Sequence, residues 1–350
     1  MTMMRAAVVA GPQRFEVQET ERPEVQSGHI LVRVRNCGIC GSDLHFYRGD
    51  FPVAPGLRLG HEIAGEVAAV GEDVSGLSPG QLVVIEPLIV CRECDLCRTG
   101  RYNLCPERKF LGMMEPGGFA EYVHVPAYTV HLLPDGVDTE VGALVEPLAV
   151  TVHGLRQAGL TFGERVAIIG SGTIGLMALI AARALGASDV FITARHAHQA
   201  DAARALGAAQ VVEANDETVE NMTAAFGGRP PDAVVETVGG SGETLDQAIA
   251  VAASGGRISI LGLFTGPVNV NAITAVLKGV TLYGGITYDR PGSRSDFEVA
   301  LEIATRHTED LRRVITHRVE LADIERGFAT AADKSQGSIK VTVEVSPTWR

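Results

Sequence analysis

The sequence predicts an α/β chain in which a β-rich first domain precedes a doubly wound parallel sheet. Three observations predict it. At 350 residues the chain is long for one domain. Its first part reads as short strands joined by Gly- and Pro-rich turns, as in "HILVRVRNCGICGSD", "GEVAAVG", "LVVIEP" and "AEYVHV". From Arg165 onward, apolar runs alternate with helical segments, the rhythm of a parallel sheet.

The elements follow in order. "RVAIIG" is a strand and "TIGLMALIAARALGA" a helix closed by glycine. "DVFITA", "AQVVEA", "DAVVETVG" and "RISILGLF" are the next strands. The helices "HQADAARALGA", "DETVENMTAAFG" and "TLDQAIAVAASGG" separate them. This places the parallel sheet in residues 151–284, after a first domain of residues 1–150. The remainder, 285–350, holds the helix "SDFEVALEIATRH" and a final strand, "GSIKVTVEV", outside the α/β rhythm.

Composition excludes several function classes. The net charge is −12 and no Lys/Arg run offsets it, which disfavours nucleic acid and anionic membrane as partners. The most apolar stretch, Val166 to Ala182, is broken by Gly, Ser and Thr and reads as strand, turn and helix, not as a membrane span. Met1 to Gly11 shows no secretory signal, so a cytoplasmic protein is expected. All six cysteines lie in the first third, where metal binding is a better expectation than a disulfide framework.

"GSGTIG" places Gly170, Gly172 and Gly175 in the G-x-G-x-x-G spacing between an apolar strand and an apolar helix. Gly170 makes the tight turn, Gly172 lets backbone approach a pyrophosphate, and Gly175 lets helix pack on strand. The helix start, with Thr173 and Ile174, offers unpaired N–H groups to phosphates. The bland alternative is a turn without a ligand. At the end of the second strand, an Asp or Glu would hold the ribose of NAD. Here Ala194 and Arg195 stand instead: Ala194 makes room for a 2′-phosphate, and Arg195 meets it with a planar fork of donors. His196 and His198 add further donors, and Leu263 joins the expected cofactor contacts. NADP is the expected cofactor, with NAD as the alternative.

"CRECDLCRTGRYNLC" sets Cys91, Cys94, Cys97 and Cys105 in one loop, which suits a closed tetrahedral zinc site. An iron–sulfur cluster is the rival; the gap before Cys105 and the lack of a second cluster motif favour zinc. A second set comprises Cys40, His61, Glu62 and Glu146, beside glycines or a proline. Each has an ordinary structural reading, and Cys37 with Cys40 also has redox spacing. Together, one Cys, one His and one or two carboxylates would make an open catalytic zinc site.

The order of "GICGSDLH", "GHEIAGEVAAVG", "CRECDLCRTGRYNLC", "GGFAEYV", "EPLAV" and "GSGTIG" resembles the zinc-dependent medium-chain dehydrogenase/reductase family over essentially the whole chain. "EPLAV" resembles the polyol (sorbitol) and threonine dehydrogenase branch; simple alcohol dehydrogenases of the family carry a cysteine where Glu146 stands. The resemblance implies a GroES-like β catalytic domain, a Rossmann domain and a tail that rejoins the first domain. It implies a catalytic zinc on Cys40 and His61, with Glu62 and Glu146 sharing or exchanging the carboxylate position, and a structural zinc on the four-cysteine loop. Asp43 matches the carboxylate that orients the zinc histidine. Ser42 and His45 match a proton relay, and Cys37 matches no ligand and is expected to pack.

The implied reaction moves a hydride between a secondary alcohol or polyol, or its ketone, and the nicotinamide cofactor. A homo-oligomer, a tetramer or a dimer, is the implied assembly. Alternatives are an NAD-linked L-threonine 3-dehydrogenase, a zinc-free quinone reductase of the same family and a non-catalytic NADP-binding protein. Phe46, Phe119 and Tyr288 are candidate pocket walls, and "GRISILGLF" a candidate interface strand.

Overall fold

The computed structural model describes residues 2–240 and 243–346. Two sheets organise it. The first has the strand order Ile315–Glu320, Lys340–Glu344, His29–Gly38, Glu62–Val70, Leu82–Ile85, Val130–Leu132, and Tyr122–Pro126 also pairs with His29–Gly38. Alternation buries Ile30, Val32, Val34, Ile63 and Val67 together with Phe119 and Phe328. Cys37 is fully buried in that core.

The second sheet has six parallel strands in the order Gln210–Glu213, Asp189–Ala194, Arg165–Ile169, Ala233–Glu236, Arg257–Ile260, Thr281–Gly284. The inner strands carry near-continuous apolar runs because helices cover both faces. The chain order reverses between Arg165–Ile169 and Ala233–Glu236, which opens a crevice at the strands' carboxyl ends. No described helix is long and apolar enough to cross a membrane.

Helix Val145–Gln157 runs across residue 150 and packs against the glycine-loop helix Thr173–Ala184. Helix Asp296–Arg306 packs on it in turn, and helix Thr308–Val314 packs against Thr173–Ala184. Only from Ile315 does the chain enter the first sheet, where Thr342, Val343 and Glu344 pair with Gly38, Cys37 and Asn36. Arg312 fastens the two parts by bonding Asp138 at 2.8 Å and Glu140 at 3.0 Å.

Two sequence expectations change here. In "GRISILGLF" only Arg257–Ile260 is strand, and Thr281–Gly284 covers its outer side. The sheet edge is therefore Thr281–Gly284, so the candidate interface strand moves one place outward. Phe119 is a core residue packed on Phe328 at 5.7 Å between ring centroids, not a pocket wall.

Candidate active site

Cys40 lies two residues past the central strand His29–Gly38 and caps helix Gly41–Arg48, its N–H donating to Asp43 Oδ2 at 3.0 Å. The capping box fixes both Cys40 and Asp43. His61 and Glu62 open the neighbouring strand, with Glu62 in register with Gly38. A Cβ on residue 38 would lie 1.7 Å from Glu62 Oε2, so only glycine leaves room for this carboxylate. One ligand atom each from Cys40, His61 and Glu62 lies within 4.8 Å of the others.

His61 Nδ1 lies 3.7 Å from Asp43 Oδ1, too long for a hydrogen bond but with no competing partner for either atom. That orientation leaves Nε2 to a ligand. Burial raises the Asp43 carboxyl, and His61 draws it back down. Burial and then the Glu62 charge push the Cys40 thiol up to about 12. Glu146 sits in the first turn of helix Val145–Gln157, and burial pushes it up to about 8 while His61 works against the shift. Thiol, imidazole and carboxylates crowd together in a buried place, where burial penalises the charged forms of Cys40 and Glu146. A divalent cation would relieve that penalty, and the donor set is the one zinc takes in open sites.

The structure supplies a partner that sequence reasoning missed. Lys340, from the tail strand, sends Nζ to both oxygens of Glu62 at 2.6 Å and to the Ile39 carbonyl at 3.0 Å. The pair is fully enclosed, Lys340 at 1% and Glu62 at 0% exposure. The signal lay in "GSIKVTVEV", a single lysine inside an apolar strand. Phe110 was missed too: its ring stands edge-on to His61 at 5.2 Å.

Ser42 Oγ is buried without a hydrogen-bond partner, and His45, one turn further along the helix, holds Asp50 through Nδ1 at 2.8 Å. Phe46 is half-buried against Phe51. Tyr288 is fully buried beside Glu146.

The four-cysteine loop is equally well formed. Sulfur–sulfur separations are 3.5 Å for Cys91–Cys105, 3.8 Å for Cys91–Cys97 and 4.0 Å for Cys94–Cys105. Sulfurs about 2.3 Å from one tetrahedral ion would stand about 3.8 Å apart. The spacing fits a single ion and is too tight for a cluster of several irons. A third group, His153, Asp289 and Asp296, also has close ligand atoms. There the cations are already present: Asp296 takes His153 at 2.8 Å and Arg156 at 2.6 Å, and we read it as a structural ion cluster.

At the glycine loop, Gly170 has φ +100°, and a Cβ there would meet Val238 at 2.5 Å. A Cβ on Gly175 would lie 2.0 Å from the Gly170 carbonyl, so the helix can pack only without one. Gly172, at the helix N-cap, faces open space. Ile174 lies in the first turn, and Thr173 donates its hydroxyl to the Ile339 carbonyl at 2.9 Å. Ile339 and Lys340 thus tie the glycine loop to Glu62 through two adjacent tail residues.

Ala194 is buried at its strand's end, and Arg195 is exposed with no ion pair among the described residues. His196 stacks on His198 at 5.6 Å. Lys334 adds charge nearby; burial first, then Lys340 and Arg48, lower it to about 8. Glu213 stands opposite Ala194 on the next strand and is exposed. Leu263 is part-exposed in the loop after Arg257–Ile260, its carbonyl accepting from Gly240 N–H at 3.0 Å.

Comparison with known proteins agrees with this geometry. Residues 26–135 match the alcohol dehydrogenase GroES-like domain, and residues 173–306 match the zinc-binding dehydrogenase domain. Sorbitol dehydrogenase of Bacillus subtilis is 31% identical over 349 residues, covering 97% of each chain. L-threonine 3-dehydrogenase of Bacillus licheniformis is 34% identical over 315 residues, 87% of this chain and 89% of that one. Among solved structures, an NADP-bound protein of the zinc-binding dehydrogenase class from Sinorhizobium meliloti superposes with a TM-score of 0.88 at 32% identity, covering 99% of this chain and 100% of that one.

Proposed function

The chain belongs to the zinc-binding alcohol dehydrogenase family, and from that premise we propose that it interconverts a secondary alcohol or polyol and its ketone with NADP as preferred cofactor. At the coarser level it is a zinc-dependent, nicotinamide-linked dehydrogenase acting on CH–OH groups. The observation that carries the finer reading is the convergence of Cys40, His61 and Glu62 within 4.8 Å, with Glu146 against them.

Zinc bound there would supply Lewis acidity to the substrate oxygen, and a bound nicotinamide would supply the hydride-accepting chemistry. Cys40 and His61 hold the metal, and Asp43 fixes the His61 ring. Lys340 occupies both oxygens of Glu62, so Glu146 is the carboxylate available for exchange at the open position. Ser42 would accept the substrate's hydroxyl proton while releasing its own toward His45, which would pass a proton on to solvent with Asp50 steadying its ring.

The NADP preference rests on Ala194, which offers no carboxylate to repel a 2′-phosphate, and on the unpaired guanidinium of Arg195 with His196, His198 and Lys334 beside it. The NADP carried by the Sinorhizobium meliloti structure supports the same reading. A second reading, an NAD-linked threonine dehydrogenase, is favoured by the 34% identity to that enzyme. The missing ribose acid at residue 194 weighs against it.

Nicotinamide fluorescence titrations with NADPH and NADH, on the native protein and on Arg195→Ala, test the cofactor assignment. NADPH is expected to bind at least about tenfold tighter, about 1.4 kcal/mol, with Arg195→Ala removing the gap. Equal or tighter NADH binding would remove the NADP assignment, and rate comparisons would then turn to threonine and polyols with NAD.

A further inference from the structure

A cavity of about 420 Å³ opens on the outside of the first sheet, in the size range of small-molecule sites. None of the metal-site residues lines it. Its floor is apolar, with Ile89, Leu111 and Val123 among the lining side chains. His29 and His124 form part of the wall, their rings stacked at 4.5 Å and 11°. Burial and the neighbouring His29 lower the His124 pKa, and the stacked pair presents a flat wall.

Arg58 also lines this cavity. Several other part-buried arginines hold a carboxylate, among them Arg35 with Glu66 at 2.7 Å and Arg257 with Glu164 at 2.6 Å, whereas Arg22 and Arg33 hold none among the described residues. Arg58 holds none among the described residues. Burial lowers its pKa, and no neighbouring anion raises it. The other charges on the rim cancel, because Lys109 grips Glu115 at 2.6 Å. No guanidinium nitrogen of Arg58 is both buried and unpaired, so its fork faces the solvent of the cavity and is open to an entering anion.

We propose that this cavity binds a small planar carboxylate, with its anionic end on the fork of Arg58 and its apolar body on the floor beside the stacked histidines. The fork suits a carboxylate's two oxygens, and the flat wall suits an aromatic or conjugated body. The site lies apart from the zinc cleft and does not depend on the cofactor assignment.

Isothermal titration calorimetry of the metal-loaded protein tests this with benzoate, with benzamide as its neutral isostere, and with inorganic phosphate as an anion lacking an apolar body. Benzoate is expected to bind at least about tenfold tighter than either. Arg58→Met is expected to weaken benzoate by about tenfold or more, and Arg58→Lys by less. Ile89→Trp, which fills the floor with Arg58 intact, is expected to weaken it as well, so the test survives if Arg58→Met fails to fold. Cys40→Ser, which disables the zinc cleft, is expected to leave this binding unchanged. Absence of saturable benzoate binding, an Arg58→Met protein with native affinity, loss of binding in Cys40→Ser, or phosphate binding as tightly as benzoate would each overturn the proposal.

Discussion

Replacing Lys340 with Met would strip Glu62 of its cation in a place that water does not reach. The two side chains are 1% and 0% exposed, and the ammonium bonds both carboxylate oxygens at 2.6 Å and the Ile39 carbonyl at 3.0 Å. Methionine keeps the stem's packing, so the loss is mainly electrostatic. Breaking one partner of a buried pair leaves an uncompensated charge and costs about 3–5 kcal/mol. Neutralising the stranded carboxylate as well, in Lys340→Met/Glu62→Gln, removes that charge and should recover most of the loss. Denaturant unfolding of the metal-free proteins, in which no zinc stands beside Glu62, read by circular dichroism with matched slopes, measures both. The cycle separates charge from packing: a large single-variant loss with a small double-variant loss is expected. If Lys340→Met costs less than about 1 kcal/mol, the pair behaves as a solvated surface bridge and the reasoning is refuted.

Other outcomes follow from the same structure. Burial works against the His153 proton, but bonds to Asp289 and Asp296 outweigh it and hold the imidazole up at about 9 against an ordinary 6.5. A raised pKa means the stabilisation is complete below pH 6.5 and lost as pH rises to about 9. Up to about 3 kcal/mol should disappear over that window, and His153→Gln should flatten the dependence of unfolding free energy on pH. Metal analysis should find two zinc ions per chain, and Cys105→Ser should retain one while lowering the melting temperature. The outer edge of Thr281–Gly284 is unpaired among the described residues, and the adjoining helix Ala272–Lys278 exposes Ile273, Val276 and Leu277. A second copy is the expected cover. Val276→Lys/Leu277→Glu should lower the mass seen by light scattering, and an unchanged oligomer would place the interface elsewhere.

Much of this site was legible because its signals are short-range. The four cysteines fall within fifteen residues, and one short loop brings their sulfurs together. The three glycines owe their places to one turn between one strand and one helix, and a Cβ test at Gly170 and Gly175 gives the steric reason. Cys40 and Asp43 are joined by a single capping box. Lys340 and Phe110 were not legible, because nothing in their neighbours says which distant residue they will meet. The edge of the parallel sheet was not legible for a similar reason: an inner strand and an edge strand share one apolar pattern, and only pairing tells them apart.

By itself, then, the sequence determined the two-sheet plan, the dinucleotide loop, the four-thiol metal loop and the candidate ligands of a second metal site. Those features depend on residue type and on spacing within one or two turns, which local backbone geometry translates directly. Tertiary structure alone decided that the tail completes the first sheet and delivers Lys340 to Glu62, nearly 280 residues away in the chain. It also decided that Glu146 is buried beside the metal-site residues, that His153 is held charged by two aspartates, and that Arg58 has no ion-pair partner among the described residues. Charge partners in a protein interior are chosen by long-range packing, because the cost of burying a charge falls wherever the folded chain encloses it, irrespective of its sequence neighbours.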